Sequence, residues 1–217
     1  NSDSFLNHAA KNLSSRMLGW HYRSRSESLI SFSNWAFYEG RLLTVPDESR
    51  IVSKRDALVA TVAEAGEPAA AELLNRPVSF HFIEHGVYQK RRNTAEAEYI
   101  AQLVRGLLNH ERQVTIGIVA FSEAQQDEIE QALTSLARDD SEFAARLEAE
   151  YDREDDGQFV GLLVKNLENI QGDERDVIIM SVCYGPDAVG KMRMNFGPIN
   201  RSGGEKRLNV AFSRSKH

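Results

Sequence analysis

Proline is scarce in this chain, cysteine is nearly absent, and no apolar run approaches the length of a membrane span. Among 217 residues there are 5 prolines, 2 tryptophans and 1 cysteine, Cys183. One cysteine excludes any disulfide within the chain, which favours a reducing compartment. The apolar runs stop short of the roughly 18 residues that a spanning helix needs, and no secretory signal peptide is evident. The expectation is therefore a cytoplasmic location with no membrane partner. An excess of positive charge is missing too: 26 Lys and Arg face 32 Asp and Glu, a net charge of −6. That excludes a generally basic nucleic-acid module but not a local basic groove, because partner choice depends on where charge sits. What remains is a chain that is 41% hydrophobic, enough for one full core.

Strand-like and helix-like segments alternate, which predicts an α/β fold with a mostly parallel sheet and crossover helices. Ser24-Arg25-Ser26-Glu27 reads as a capping box. It opens a helix with Leu29, Ile30, Ser33 and Phe37 on one face, running to about Tyr38 and stopping at Gly40. Residues 44–76, with Pro46, Gly66, Pro68 and an alanine-rich stretch, read as a peripheral insertion. Val78 to Ile83 alternates as a strand. Asn93-Thr94-Ala95-Glu96 caps a helix whose Ala97, Ile100, Leu103, Val104, Leu107 and Leu108 form a core stripe. Val114 to Ala120 is near-continuously apolar, as buried parallel strands are.

Ser122-Glu123-Ala124-Gln125 caps the next helix, with Ile129, Leu133 and Leu136 inward. A charged helix from Ser141 to about Tyr151 and a loose stretch over 152–157 follow. Phe159 to Lys165 and Val177 to Cys183 read as strands, joined by a polar turn over 166–176. Some nineteen residues rich in Gly and Pro come next, long enough to suspect function. Ser202-Gly203-Gly204-Glu205 caps the last helix.

Two motifs imitate chemistry. Gly185-Pro186-Asp187-Ala188-Val189-Gly190-Lys191 has phosphate-loop spacing, but Met192 stands where Ser or Thr should hold magnesium, and no helix can begin there. His81-Phe82-Ile83-Glu84-His85 fits a zinc pattern that works only on a helix. On a strand the two histidines lie roughly 13 Å apart, too far to share one ion, so no metal site is expected.

Four stretches sit at strand ends and helix starts, where parallel-sheet proteins carry function. They are Tyr22-Arg23, Phe121 to Gln125, Gln171 to Asp176, and Asn209 to Lys216. Arg23 and Arg214 are permanently charged planar forks on a chain without a phosphate-cradling loop, which suggests half of a nucleotide-hydrolysis site. Bland readings stand beside these. The two arginines could make surface salt bridges, Tyr22 could pack in the core, and Glu174 could pair with Arg175 or Arg207. Ser122 and Gln125 could serve only as caps, and Arg201, Lys206 and Arg207 as a solvated basic face.

Three stretches carry a resemblance. Leu18 to Arg23 with Phe37 to Gly40 resembles motif IV of superfamily 1 helicases, Asn169 to Ile179 their motif V, and Leu208 to Lys216 their motif VI. Together they resemble the second RecA-like domain of helicases related to the nonsense-mediated-decay RNA helicase and the Dna-two type. Asn195 to Asn200 is similar to large bacterial helicase-like proteins that often carry a restriction-type endonuclease domain. The resemblance implies a three-layer RecA-like, P-loop NTPase-type domain over residues 1–217. It implies that Arg23 and Arg214 reach the γ-phosphate of ATP and that Tyr22 packs on adenine. Glu174 would face the ribose from a tight turn made by Gln171 and Gly172, and Ser122 and Gln125 would hold a nucleic-acid backbone. ATP and magnesium would need a first RecA-like domain, because no proper phosphate loop and no Asp-Glu magnesium motif occur here. The family chain also continues past motif VI, so a fragment inactive alone is expected. Its partners would be that first domain and a single strand, DNA ahead of RNA. A translocase driving a restriction or repair nuclease without strand separation, and a catalytically silent interaction module, are the alternatives.

Overall fold

The computed structural model describes residues 5–14, 16, 18–21, 24, 26–44, 60–62 and 66–216. Its elements run α1 (Phe5–Asn12), β1 (Trp20–His21), α2 (Glu27–Phe37), β2 (Leu43–Thr44), β3 (Ala60–Val62), α3 (Glu67–Leu74), β4 (Phe80–Phe82), α4 (Thr94–Asn109), β5 (Ile116–Ala120) and α5 (Glu123–Asp139). Then follow α6 (Ser141–Tyr151), β6 (Glu154–Asp155), β7 (Gln158–Phe159), β8 (Leu163–Asn166), β9 (Val177–Ser181), a 3-10 turn (Gly197–Asn200) and α7 (Gly204–Phe212). Strand order in the central sheet is β8-β5-β9, all parallel. Parallel pairs also join β1 to β2 and β3 to β4, while β6 and β7 form an antiparallel hairpin. This is the expected α/β RecA-like architecture.

Strand β5 explains the three layers. All five of its residues are buried, so both faces must be covered. Ile116, Ile118 and Ala120 point into a core built with α3, α4, α5 and α6. Val119, with Phe121 beyond the strand end, points into a second core with Leu163, Leu167, Ile170, Cys183 and Ala211 of α7. The predicted stripe on α4 is buried in full. Each of its Ile, Leu and Val side chains contributes about 1.5–3 kcal/mol relative to exposure. Among the described residues no helix is long and apolar enough to cross a membrane.

Several local expectations are corrected. Ser24 does not cap α2; Ser26 holds the N-cap position without a side-chain bond, and Ser24 is engaged elsewhere. The stretch expected to be peripheral is integral from Gly66 onward, because α3 lays Ala69 and Ala70 into the main core. On β4 it is His81 that turns inward, toward Tyr99, while Phe80 and Phe82 stay half exposed. The strand expected over 159–165 breaks at Gly161, where an added Cβ would stand 1.7 Å from the Glu150 carbonyl oxygen. The loose 152–157 stretch is a hairpin turn, with Asp156 and Gly157 at φ 50 and 72°. Gly203, at φ 83°, caps α7 instead of Ser202, and Gly204 touches the Ile199 carbonyl so closely that no Cβ fits.

Candidate functional site

At the amino-terminal edge of the sheet the chain folds back on itself. Strand β9 starts at Val177, and the turn before it carries motif V. The Arg175 N–H donates to the Arg214 carbonyl at 3.3 Å, and the Lys216 N–H donates to the Arg175 carbonyl at 3.0 Å. The final segment therefore joins the sheet as a parallel bridge between Arg175 and Ser215. The Ser24 hydroxyl donates to the Ser215 carbonyl at 3.2 Å, and the Ser215 hydroxyl donates to the Asp176 carbonyl at 3.1 Å. Thr115 closes the edge by donating its N–H and its hydroxyl to one Asp176 carboxylate oxygen, both at 2.9 Å. Stretches 191 residues apart meet here. Helix α7 is held against α2 by the Phe32 and Phe212 rings at 4.7 Å and by Asn209 Nδ2 donating to the Tyr38 hydroxyl at 3.1 Å.

The structure brings Glu174 and Arg214 to this one edge. Arg214 lies just beyond α7, half-buried, its Nε donating to the Val210 carbonyl at 2.9 Å, as a cation at a helix C-terminus favours. Glu174 pairs with Lys216, Nζ to Oε1 3.0 Å, rather than with Arg175 or Arg207. Arg207 instead faces Glu168, at 3.7 Å. Gln171 and Gly172 are exposed in the turn, Gly172 at φ 95°, a backbone conformation that suits glycine. Tyr22 and Arg23, expected at the adenine and the γ-phosphate, lie outside the described residues, although Ser24 next to them is held at Ser215.

Arg175 is the residue that sequence reasoning missed. It is buried, with Nε donating to the Gly161 carbonyl at 2.9 Å, Nη1 to the Glu174 carbonyl at 2.8 Å and Nη2 to the Phe159 carbonyl at 3.4 Å. Its guanidinium carbon lies 5.3 Å from the Phe159 ring centre. Burial lowers its pKa, while Asp173, Glu150 and Asp176 oppose that shift. One side chain thus fixes the turn that presents Glu174 and, through its backbone, the segment that presents Arg214. An arginine inside an otherwise polar turn gave no sign of burial in the sequence.

At the opposite, carboxyl-terminal edge, about 16 Å away by strand rise, stand Ser122 and Gln125. Gln125 corrects the expectation of a nucleic-acid contact. It is wholly buried, accepting from the Asn93 N–H at 2.7 Å and donating to the Asn93 carbonyl and the Ser181 hydroxyl. Ser122 caps α5 by accepting from the Gln125 N–H at 3.1 Å, and its hydroxyl donates to the Arg91 carbonyl. Both residues hold this edge together from within.

Glu96 belongs to the same network. It accepts from the Ser181 hydroxyl at 2.7 Å and from the Cys183 N–H at 3.1 Å. Burial raises its pKa above the ordinary 4.5, with hydrogen bonds from Ser181, Cys183 and Val182 opposing. Burial, assisted by Glu96, pushes the neighbouring Cys183 thiol up to about 12. A raised carboxyl pKa means that the folded state binds the proton more tightly, so this contribution to stability falls as pH rises above 4.5 through the folded value. Glu96→Gln keeps an acceptor oxygen for Ser181 and Cys183 and cannot ionise. We expect the variant to gain stability relative to the parent as pH rises from 4.5, then to level off. Thermal unfolding of both proteins across pH 4 to 8 checks this, and a difference that does not change with pH would contradict it.

The phosphate-loop imitation is closed on itself. Asp187 Oδ1 accepts the N–H groups of Val189 and Lys191, at 3.1 and 2.9 Å, and Pro186 bridges Met192 across the turn. The amides that would cradle a phosphate are therefore turned inward.

Comparison with known proteins gives a consistent picture. Among curated relatives, an uncharacterized ATP-dependent helicase of Mycoplasma genitalium is 32% identical over 217 residues, covering 98% of this chain and 16% of that protein. Its homolog in Mycoplasma pneumoniae is 32% identical over 202 residues, covering 92% of this chain and 15% of that protein. The chain thus spans about a sixth of the length of these relatives. The family model described as an AAA domain matches residues 2–217, nearly the whole length, and the chain belongs to that family.

Proposed function

We propose that this chain is the second RecA-like motor domain of a superfamily 1 ATP-dependent helicase, completing an ATP site whose phosphate loop and magnesium ligands lie on a first domain. The convergence of Ser24, Arg175 and Ser215 carries the reading, since it brings the turn that carries Glu174, the segment that carries Arg214 and Ser24, which follows Arg23 in the chain, to one edge. ATP brings a γ-phosphoryl whose charge spreads over three oxygens during transfer. Arg23 and Arg214 meet that charge with rigid forks, which a lysine point charge cannot imitate. Glu174, freed from Lys216, accepts from a ribose hydroxyl, Gln171 and Gly172 shape its turn, and Tyr22 packs on the adenine. The helicase names of the Mycoplasma relatives, and their nearly full coverage of this chain, support the assignment. A single strand, DNA in preference to RNA, is the substrate, and the compartment is the cytoplasm.

The 217-residue chain alone is expected to show no ATP hydrolysis above background, because magnesium and β-phosphate ligands are supplied by the first domain. Turnover by the purified chain, lost on Lys191→Ala, would overturn the division of labour and restore the 185–191 turn as a phosphate loop.

A further inference from the structure

The turn before β9 carries three acids, Asp173, Glu174 and Asp176, and each has a different partner. Asp173 Oδ2 holds Lys165 Nζ of β8 at 2.6 Å, and Asp176 takes the N–H and hydroxyl of Thr115, beside β5. Those two contacts tie the turn to neighbouring strands. Glu174 is different, because its partner Lys216, Nζ to Oε1 3.0 Å, comes from the segment that follows α7.

Lys216 reaches Glu174 from a fixed base. Its N–H donates to the Arg175 carbonyl at 3.0 Å, and the Arg175 N–H donates to the Arg214 carbonyl at 3.3 Å. On the other side Arg175 Nη1 donates to the Glu174 carbonyl at 2.8 Å. Both backbones are therefore held by bonds that do not involve the lysine side chain. The ammonium and the carboxylate, by contrast, meet at the surface, each side chain 38% exposed. An ion pair of that exposure is weak, is screened by salt and exchanges without disturbing the fold. A single ammonium also lacks the two parallel donors with which a guanidinium grips a carboxylate. The pair is built to give way.

We propose that Lys216 competes with the nucleotide's ribose for Glu174, a role that rests on the reading of Glu174 as the ribose carboxylate. Lys216 occupies the carboxylate while the site is empty and yields it to a ligand that brings hydroxyl donors. It takes the carboxylate back as the ligand leaves. A nucleotide with both ribose hydroxyls replaces the bond that Lys216 gives up, whereas one without them leaves the ion pair in place and gains nothing from Glu174. Lys216 thereby tempers the hold on the sugar, which favours release of the spent nucleotide in each cycle.

The test uses the full-length protein that carries this domain, with equilibrium binding of ADP and of 2′,3′-dideoxy-ADP followed by calorimetry. The ratio of the two affinities isolates the sugar, because the pull of the Lys216 charge on the phosphates is common to both ligands. Lys216→Met should widen the preference for ADP by about 2- to 5-fold, the worth of a half-exposed ion pair. Its melting temperature should hold, since the backbone bonds to Arg175 remain. In the parent the preference should grow as salt rises from about 0.05 to 0.5 M, because screening weakens the pair, and in Lys216→Met it should stay flat. Lys216→Arg should keep the salt dependence, and Glu174→Ala should erase the preference. A preference that is present in the parent, lost in Glu174→Ala and unchanged in Lys216→Met overturns the competition alone. A preference narrowed in Lys216→Met overturns it too, and makes Lys216 a support for Glu174. No preference in either the parent or Lys216→Met overturns the ribose reading of Glu174 as well.

Discussion

Replacing Arg214 by alanine in the longer protein is expected to lower kcat for ATP hydrolysis by about 10³- to 10⁵-fold, with ATP affinity kept within a modest factor. The position of the side chain sets this expectation. Its backbone is stitched to Arg175 at the start of β9, and its guanidinium rests against the Val210 carbonyl at the end of α7. A fork held there contributes mainly as charge develops on a transferring phosphoryl group, so the loss falls on kcat. Arg23→Ala should behave alike, because Ser24 beside it is hydrogen bonded to Ser215. Lysine at either position should rescue poorly, since one ammonium cannot reproduce two parallel donors. Steady-state hydrolysis and separate equilibrium binding of ATP check the split. Near-normal turnover in both alanine variants would refute the assignment.

Arg175→Ala should be the costliest single change to stability. Three carbonyls would lose their donor, that of Gly161 in a buried setting and those of Glu174 and Phe159 in a partly buried one. Unsatisfied buried acceptors cost about 1–3 kcal/mol each, partly offset because the buried charge also disappears. A net loss of about 2–4 kcal/mol follows, or a drop of about 4–16 °C in melting temperature for a domain of this size. Arg175→Lys should recover less than half, because a single ammonium cannot reach three carbonyls at once. Calorimetry of the three proteins is the check, and a melting temperature unchanged in Arg175→Ala would contradict this role.

The secondary elements were largely legible because they follow from local patterning. The α4 stripe, the all-apolar β5 and the caps at Asn93 and Ser122 each depend on residues within a turn or two of one another. The failures share a different cause. Gln125 looked like half of a capping box, yet its amide crosses to Asn93 and Ser181, 32 and 56 residues away. Ser24 looked like a cap and bonds to Ser215 instead. Arg175 stood only as a possible partner for Glu174 and is buried against the β6–β7 hairpin, whose Phe159 ring covers it. Polar burial is decided by tertiary neighbours, and no spacing rule along one chain reports it. The motif resemblance singled out the stretches that carry Glu174 and Arg214, and backbone bonds between Arg175 and the Arg214–Lys216 segment bring those two stretches to one edge.

The central claim is that this chain lends its arginines to a phosphoryl-transfer site completed by another domain. The most direct measurement compares the affinity of the full-length protein for ADP with that for ADP–aluminium fluoride, a mimic of the transferring phosphoryl group, before and after Arg214→Ala. The account predicts that the parent binds the mimic at least about 100-fold tighter than ADP, that the variant loses most of this preference, and that ADP affinity barely changes. A variant that retains the full preference for the mimic would show that Arg214 does not act on the transferring phosphate.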